Sequence, residues 1–113
     1  MYPNCWQEDI PAAITVTDKN GTIIEMNKNA AAVFEKSGGK DLIGKNILDC
    51  HPEHTHARIH QISQSDKPNI YTIQKAGKRK MVFQTDCFHA GEYSGLVEIS
   101  FEIPDEIPNF NRD

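Results

Sequence analysis

Apolar and polar residues alternate twice near the start of the chain. Ile14 and Val16 alternate with Thr15 and Thr17, and Ile24 and Met26 resume the alternation after Asp18-Lys19-Asn20-Gly21. A period of two predicts half-buried strands, and a polar turn whose Asn and Gly accept positive φ predicts that they form a hairpin. The alternation stops at Asn27, an N-cap residue ahead of a helix-favouring run from about Lys28 to Lys36. Ala31 and Phe34 are expected on the inner face of that helix, and Ser37-Gly38-Gly39 offers glycine for its left-handed end. The opening unit is therefore strand, turn, strand, helix.

Lys40 to Asn46 reads as a short helical turn stopped by Gly44, after which the apolar Ile47 and Leu48 are expected to close one end of the core. Pro52 fits the first position of a second helix, where its missing N–H costs nothing, and Glu53 suits the positive end of the helix dipole. Over residues 53–65 the inner stripe is Thr55, Ile59 and Ile62. The last third is strand. Ile70 to Gln74 alternates, Ala76-Gly77-Lys78 turns, and Met81, Phe83, Thr85 and Cys87 alternate with Val82, Gln84, Asp86 and Phe88. His89 to Gly95 reads as a longer loop. Leu96 to Ile103 then places Val97, Ile99, Phe101 and Ile103 on one side, with Glu98, Ser100 and Glu102 on the other.

Four features in this order resemble PAS sensor domains. They are Asp18 and Gly21 around the first turn with Asn27 at the strand-to-helix junction, Leu42-Ile43-Gly44-Lys45, His51-Pro52-Glu53 at the head of the long helix, and the closing strand triplet. The resemblance covers about Ile10 to Ile103 and implies an α+β fold: a five-stranded antiparallel sheet with helices inserted between strands two and three and packed on one face. The expected organisation is an N-terminal cap segment over 1–11, a PAS domain over 12–103 and a Pro-containing tail over 104–113. Pro104 and Pro108 prevent a long signalling helix in that tail, so the expectation is either a free-standing PAS protein or a piece excised from a larger sensor, with the terminal Asn111-Arg112-Asp113 favouring the first.

Composition narrows the class. A chain of 113 residues with 38% hydrophobic and 25% charged residues suits one ordinary globular domain. No apolar run approaches the roughly 18 residues of a membrane span, and the stretch from Met1 to Trp6 lacks the basic and then apolar segments of a signal peptide. Three cysteines are an odd and small number for a disulfide scaffold. The expected setting is the cytoplasm, without membrane contact. Twelve basic against 16 acidic residues, net −4, offer no field for nucleic acid, and the one basic cluster, Lys75 with Lys78-Arg79-Lys80, reads as a solvated hairpin tip.

No serine lies in a nucleophile elbow, so no hydrolase is expected, nor any other enzyme. Four of the five histidines, His51, His54, His56 and His60, fall within ten residues. His56 and His60 are four apart on one helical face and could hold a metal or haem, yet they flank the Ile59–Ile62 stripe and the Cys pair of a structural zinc site is missing. Surface or cap histidines are therefore expected, with haem as a lesser alternative. The light-sensing members of the resembled family carry Gly-x-Asn-Cys; here Gly44-Lys45-Asn46 is followed by Ile47, which argues against flavin adduct chemistry.

The resemblance implies a non-catalytic sensor or signalling module. A small ligand would sit between the sheet and the helix over 53–65, in a pocket lined by Phe34, Ile47, Ile59, Ile62, Tyr71, Ile73, Phe83 and Val97. The alternative is a scaffold whose core those same side chains fill and whose role is dimerisation or binding of a signalling partner. A homodimer using the N-terminal segment and the outer face of the sheet is expected, the alternative being a monomer whose cap folds back on its own sheet. One sheet face lies open opposite the helices, while Tyr2, Cys5, Trp6, Ile107 and Phe110 are apolar residues near the two ends.

Overall fold

The computed structural model describes residues 6–46 and 67–113. Five strands, β1 (Ala13–Asp18), β2 (Ile23–Met26), β3 (Asn69–Lys75), β4 (Lys78–His89) and β5 (Glu92–Ile103), form one sheet in the order β2-β1-β5-β4-β3. Every neighbouring pair is antiparallel. Helix α1 (Trp6–Asp9) precedes the sheet, α2 (Lys28–Val33) follows β2, and 3₁₀ turns occupy Glu35–Ser37 and Gly39–Leu42. This is the α+β architecture expected from the sequence, with β5, last in the chain, at the sheet's centre.

In the first turn Asp18 Oδ1 accepts the N–H groups of Asn20 (2.9 Å) and Thr22 (3.0 Å), and Gly21 takes φ +84°. A bulge changes the strand that follows. Thr17 pairs with Ile23 and Thr15 with Met26, so β2 spends one more residue than β1 over the same step. The inward pair is therefore Ile23 and Met26, both buried, whereas Ile24 is 49% exposed. The expected Ile24–Met26 alternation is corrected accordingly.

The N-terminal segment, read as an irregular cap, contains the single-turn helix α1. Helix α2 is shorter than its propensity suggested. It ends at Val33, and Phe34, at φ −101° and ψ 22°, passes the chain into a 3₁₀ turn. Ala30 rather than Ala31 is its buried residue, packed in a core of Ala13, Ile23, Met26, Leu42 and Leu96, with Phe34 partly buried against them. Gly44, at φ +97°, donates its N–H to the Ile23 carbonyl, and Ile23 N–H bonds the Lys45 carbonyl, so this loop runs beside the β2 edge.

The loop expected over His89 to Gly95 is a tight hairpin. Strand β4 continues to His89, Ala90 and Gly91 turn at φ +52° and +82°, and β5 begins at Glu92. Two successive positive φ values match the twist of a two-residue hairpin. Gly95 is a strand residue at a close approach and not a loop residue, because a Cβ there would press into the Thr17 carbonyl of β1.

Register assigns every strand side chain to a face. Ala13, Ile23, Met26 and Leu96 belong to the core with Ala30 of α2 and Leu42, so their face is the helix side. Across that inner face one rung runs Asn69, Gln84, Glu98, Thr15 and Met26. The neighbouring rungs are Tyr71, Val82, Ser100 and Ala13 on one side, and Asp86, Leu96, Thr17 and Ile23 on the other. The outer face carries the complementary set. Ile70, Phe83, Ile99 and Ile14 form one wholly apolar rung, flanked by Met81 with Phe101 and by Val97 with Val16.

Candidate functional site

The residues expected to line one pocket divide between the two faces. Tyr71 and Ile73 belong to the inner face, and Phe34 packs against the core on that side. Phe83 and Val97 belong to the outer face and cannot line a space between sheet and helix, which corrects that assignment. The physical reason is that alternation sorts residues into two sets without saying which set meets the helices. Ile73 is itself 40% exposed near the end of β3. Ile47, Pro52, His56, Ile59, His60 and Ile62, with the helix expected over 53–65, lie outside the described residues.

What the register brings together instead is polar. Gln84 sits at the middle of β4 with only 4% of its surface exposed. Its Nε2 donates to Glu98 Oε2 at 2.7 Å and to the Tyr71 hydroxyl at 3.2 Å, while its Oε1 accepts Asn69 Nδ2 at 3.1 Å. Both amide hydrogens and the amide oxygen are thus engaged, which is what permits a primary amide to be buried. The three partners come from both strands flanking β4, so the network spans β3, β4 and β5. The signal existed in the sequence, in Gln84 and Glu98 alternating with apolar neighbours, but the larger apolar residues drew the assignment to the wrong face.

One inner-face carboxylate is less well provided for. Asp86 Oδ1 is buried without a hydrogen-bond partner, and burial raises the Asp86 pKa above its ordinary value. Tyr93 has its phenol pKa raised as well, first by burial and then by the nearby charges of Asp86, Cys87 and Asp18. Its ring meets Phe88 edge-on at 6.2 Å. A carboxyl whose folded pKa exceeds its unfolded one binds more protons when folded, so stability falls as pH rises through that interval. Asp86→Asn should therefore raise the melting temperature at neutral pH, with the gain vanishing below the ordinary Asp pKa of about 3.9. Melts of both proteins across pH check this; an equal gain at every pH would contradict it.

The other end of the inner face is held by Asn27. Its Oδ1 accepts Ile14 N–H (3.0 Å) and Ala30 N–H (2.9 Å), and its Nδ2 donates to the Gln7 (2.8 Å) and Ala12 (2.7 Å) carbonyls. One buried side chain thus caps α2, fixes the start of β1 and ties down α1. Exposed ion pairs Lys28–Asp9 (3.0 Å) and Lys40–Glu8 (3.3 Å) reinforce the tie weakly. Lys40 Nζ also reaches the Met26 carbonyl. Among the described residues no group of His, Cys, Asp and Glu could hold a metal ion, and no helix is long and apolar enough to cross a membrane.

The model of the PAS fold family matches residues 6–74 of this chain. No curated protein sequence matches it. Among solved structures, a C-terminal domain from Streptococcus mutans superposes with a TM-score of 0.68 at 21% identity, covering 85% of this chain and 78% of that one. The PAS domain of Bordetella pertussis BvgS gives 0.66 at 16% identity, covering 88% and 82%. The Aer2 receptor of Vibrio cholerae, described as a dual PAS-heme oxygen sensor, gives 0.63 at 21%, covering 82% and 95%. With the strand order, the N-capped helix after β2 and the family match over residues 6–74 agreeing, this chain belongs to the PAS family.

Proposed function

We propose that this PAS domain is a non-catalytic sensor that binds a small polar ligand on the inner face of its sheet, at Gln84, Glu98, Tyr71 and Asn69. The observation that supports it most is the buried Gln84 amide in the middle of β4, engaged by three polar partners. A core whose only task is to be filled favours apolar side chains there, since polar groups gain little net stability from burial even when paired. Placed polar groups on an otherwise apolar support are what a ligand site needs to fix orientation. The inner rungs supply that support through Val82, Ala13, Leu96 and Met26.

The test is a melting screen of the purified domain against small molecules bearing hydroxyl, amide and charged groups. A true ligand at 100 times its dissociation constant raises stability by about 2.7 kcal/mol. That rise is expected in the wild type and expected to be lost in Gln84→Leu, whose circular dichroism should remain that of a folded domain. Compounds that stabilise both proteins equally, or none that stabilise the wild type, favour the scaffold role with a filled core.

A second reading is haem, favoured by the structural likeness to the Aer2 receptor. A rung of amide, carboxylate and phenol suits a compact polar molecule better than a porphyrin, whose broad faces are apolar. The domain is expected to purify without a Soret band and to acquire none on addition of hemin. A band that appears with hemin and is lost in His56→Ala or His60→Ala would establish the haem reading.

A further inference from the structure

The inner face continues past the rung of Tyr71, Val82, Ser100 and Ala13. One step further, register sets Lys80 directly opposite Glu102. Between this end of the sheet and α2 lies a cleft of about 580 Å³, a volume suited to a small molecule. Pro11, Ala32 and Val33 give it apolar walls, and Asn29, Lys80, Ser100 and Glu102 bring polar groups to it. Gln84, Glu98, Tyr71 and Asn69 do not border it, so it is a separate place on the same side of the sheet.

The ion pair that register offers here is not made. Glu102 Oε1 takes Lys78 Nζ on the diagonal at 3.4 Å, and the Lys80 ammonium opposite it is left without an ion pair or hydrogen bond among the described residues. Lys80 is half-buried, whereas Lys75, Lys78 and Arg79 are exposed as a solvated hairpin tip should be. The Asn29 amide and the Ser100 hydroxyl likewise have no hydrogen-bond partner among the described residues. An unpaired cation beside two free donors and an apolar wall is a setting that attracts an anion. Charge selects its valence. Lys78 and Lys80 against Glu102 leave one positive charge, which a monoanion neutralises and a phosphate dianion overshoots.

We propose that this cleft is a second ligand site, taking a small organic monoanion whose carboxylate meets Lys80 and whose apolar body lies along Val33 and Pro11. Ser100 and Asn29 supply further donors to the carboxylate. Lys78 keeps Glu102 away from Lys80, and so keeps the cation free for the ligand. The wall on the α2 side is open, Val33 being 36% exposed, so the occupant exchanges with solution and is not carried through purification. This site does not depend on the ligand reading for Gln84, since the two share no residue.

Titration of the isotope-labelled domain with benzoate, followed residue by residue by NMR, tests it. Amide shifts are expected at Asn29, Val33, Lys80, Ser100 and Glu102 and not at Tyr71, Gln84 or Glu98, with saturation in the millimolar range. Lys80→Met keeps the length and apolar stem of the side chain, so its circular dichroism should stay that of the wild type. It is expected to weaken binding about 10-fold or more, the scale of one lost hydrogen bond to a charged group. Lys78→Met releases Glu102 to Lys80 and should weaken binding too, although Lys78 does not border the cleft. Lys75→Met removes the same charge from the same hairpin and should leave affinity within twofold. Gln84→Leu should bind benzoate as the wild type does, and benzamide, similar in shape but uncharged, should not bind measurably. The proposal is overturned by an absence of shifts with benzoate, by shifts centred on Tyr71 and Gln84, or by equal binding of benzamide. Affinity unchanged in Lys80→Met or Lys78→Met, or reduced equally in Lys75→Met and Lys80→Met, would overturn it as well.

Discussion

Gly95→Ala is expected to cost this domain about 3 kcal/mol or more, the range of a backbone clash added to an unfavourable backbone conformation. Gly95 is buried in β5 between Asp18 of β1 and Cys87 of β4, at φ +148°, where residues with a Cβ are rarely found. Space makes the case stronger. A Cβ built there would lie within van der Waals radii of the Thr17 carbonyl oxygen and crowd the Asp18 backbone. Neither neighbour is a flexible side chain, so relief requires β1 and β5 to separate. Their separation would disturb the Leu96 N–H bond to Thr17 Oγ1 and the core contact of Leu96. Thermal melting should fall by 10 °C or more, given roughly 4 °C per kcal/mol for a domain of this size. A loss below about 1 kcal/mol would mean that the strands approach less closely than described.

Asn27→Ala should be nearly as costly, at about 3 kcal/mol. An ordinary N-cap substitution removes about 1 kcal/mol, but here the same side chain also accepts the Ile14 N–H and donates to two carbonyls. Alanine leaves four backbone groups needing new partners, each worth on the order of 1 kcal/mol when left unsatisfied out of water. Asn27→Asp separates the two halves of the role. It keeps the acceptor for Ile14 and Ala30 but removes both donors and sets a carboxylate against the Gln7 and Ala12 carbonyls. Its expected signature is release of α1, read as faster proteolysis near residues 6–10, with cleavage in α2 less affected. Equal protection of α1 in Asn27→Asp and wild type would contradict the hub.

The local rules carried much of the fold. Asp18 and Gly21 specify their turn through chemistry that acts over four residues, and Asn27 marks a junction where the hydrophobic period changes. These signals need no knowledge of distant neighbours. The misreadings share one cause, which is that the deciding partner lies far along the chain. Gly95 resembles a loop glycine until β1 is placed beside it. The bulge that turns Ile23 inward and Ile24 outward depends on pairing with Thr17. Most consequentially, Phe83 and Val97 are the more hydrophobic members of their alternations, and the ordinary expectation places such residues against helices. Here the helix side takes Gln84, Glu98 and Tyr71, a choice at odds with simple core formation. Such local conflicts with global packing are where functional sites are expected.

The central claim is that this polar rung holds a ligand, and native mass spectrometry of the domain purified from its own host tests it most directly. The predicted spectrum shows the chain with one additional small molecule, shed on denaturation and absent from Gln84→Leu prepared in the same way. A wild-type spectrum containing only bare polypeptide, or an adduct that persists unchanged in Gln84→Leu, would contradict it.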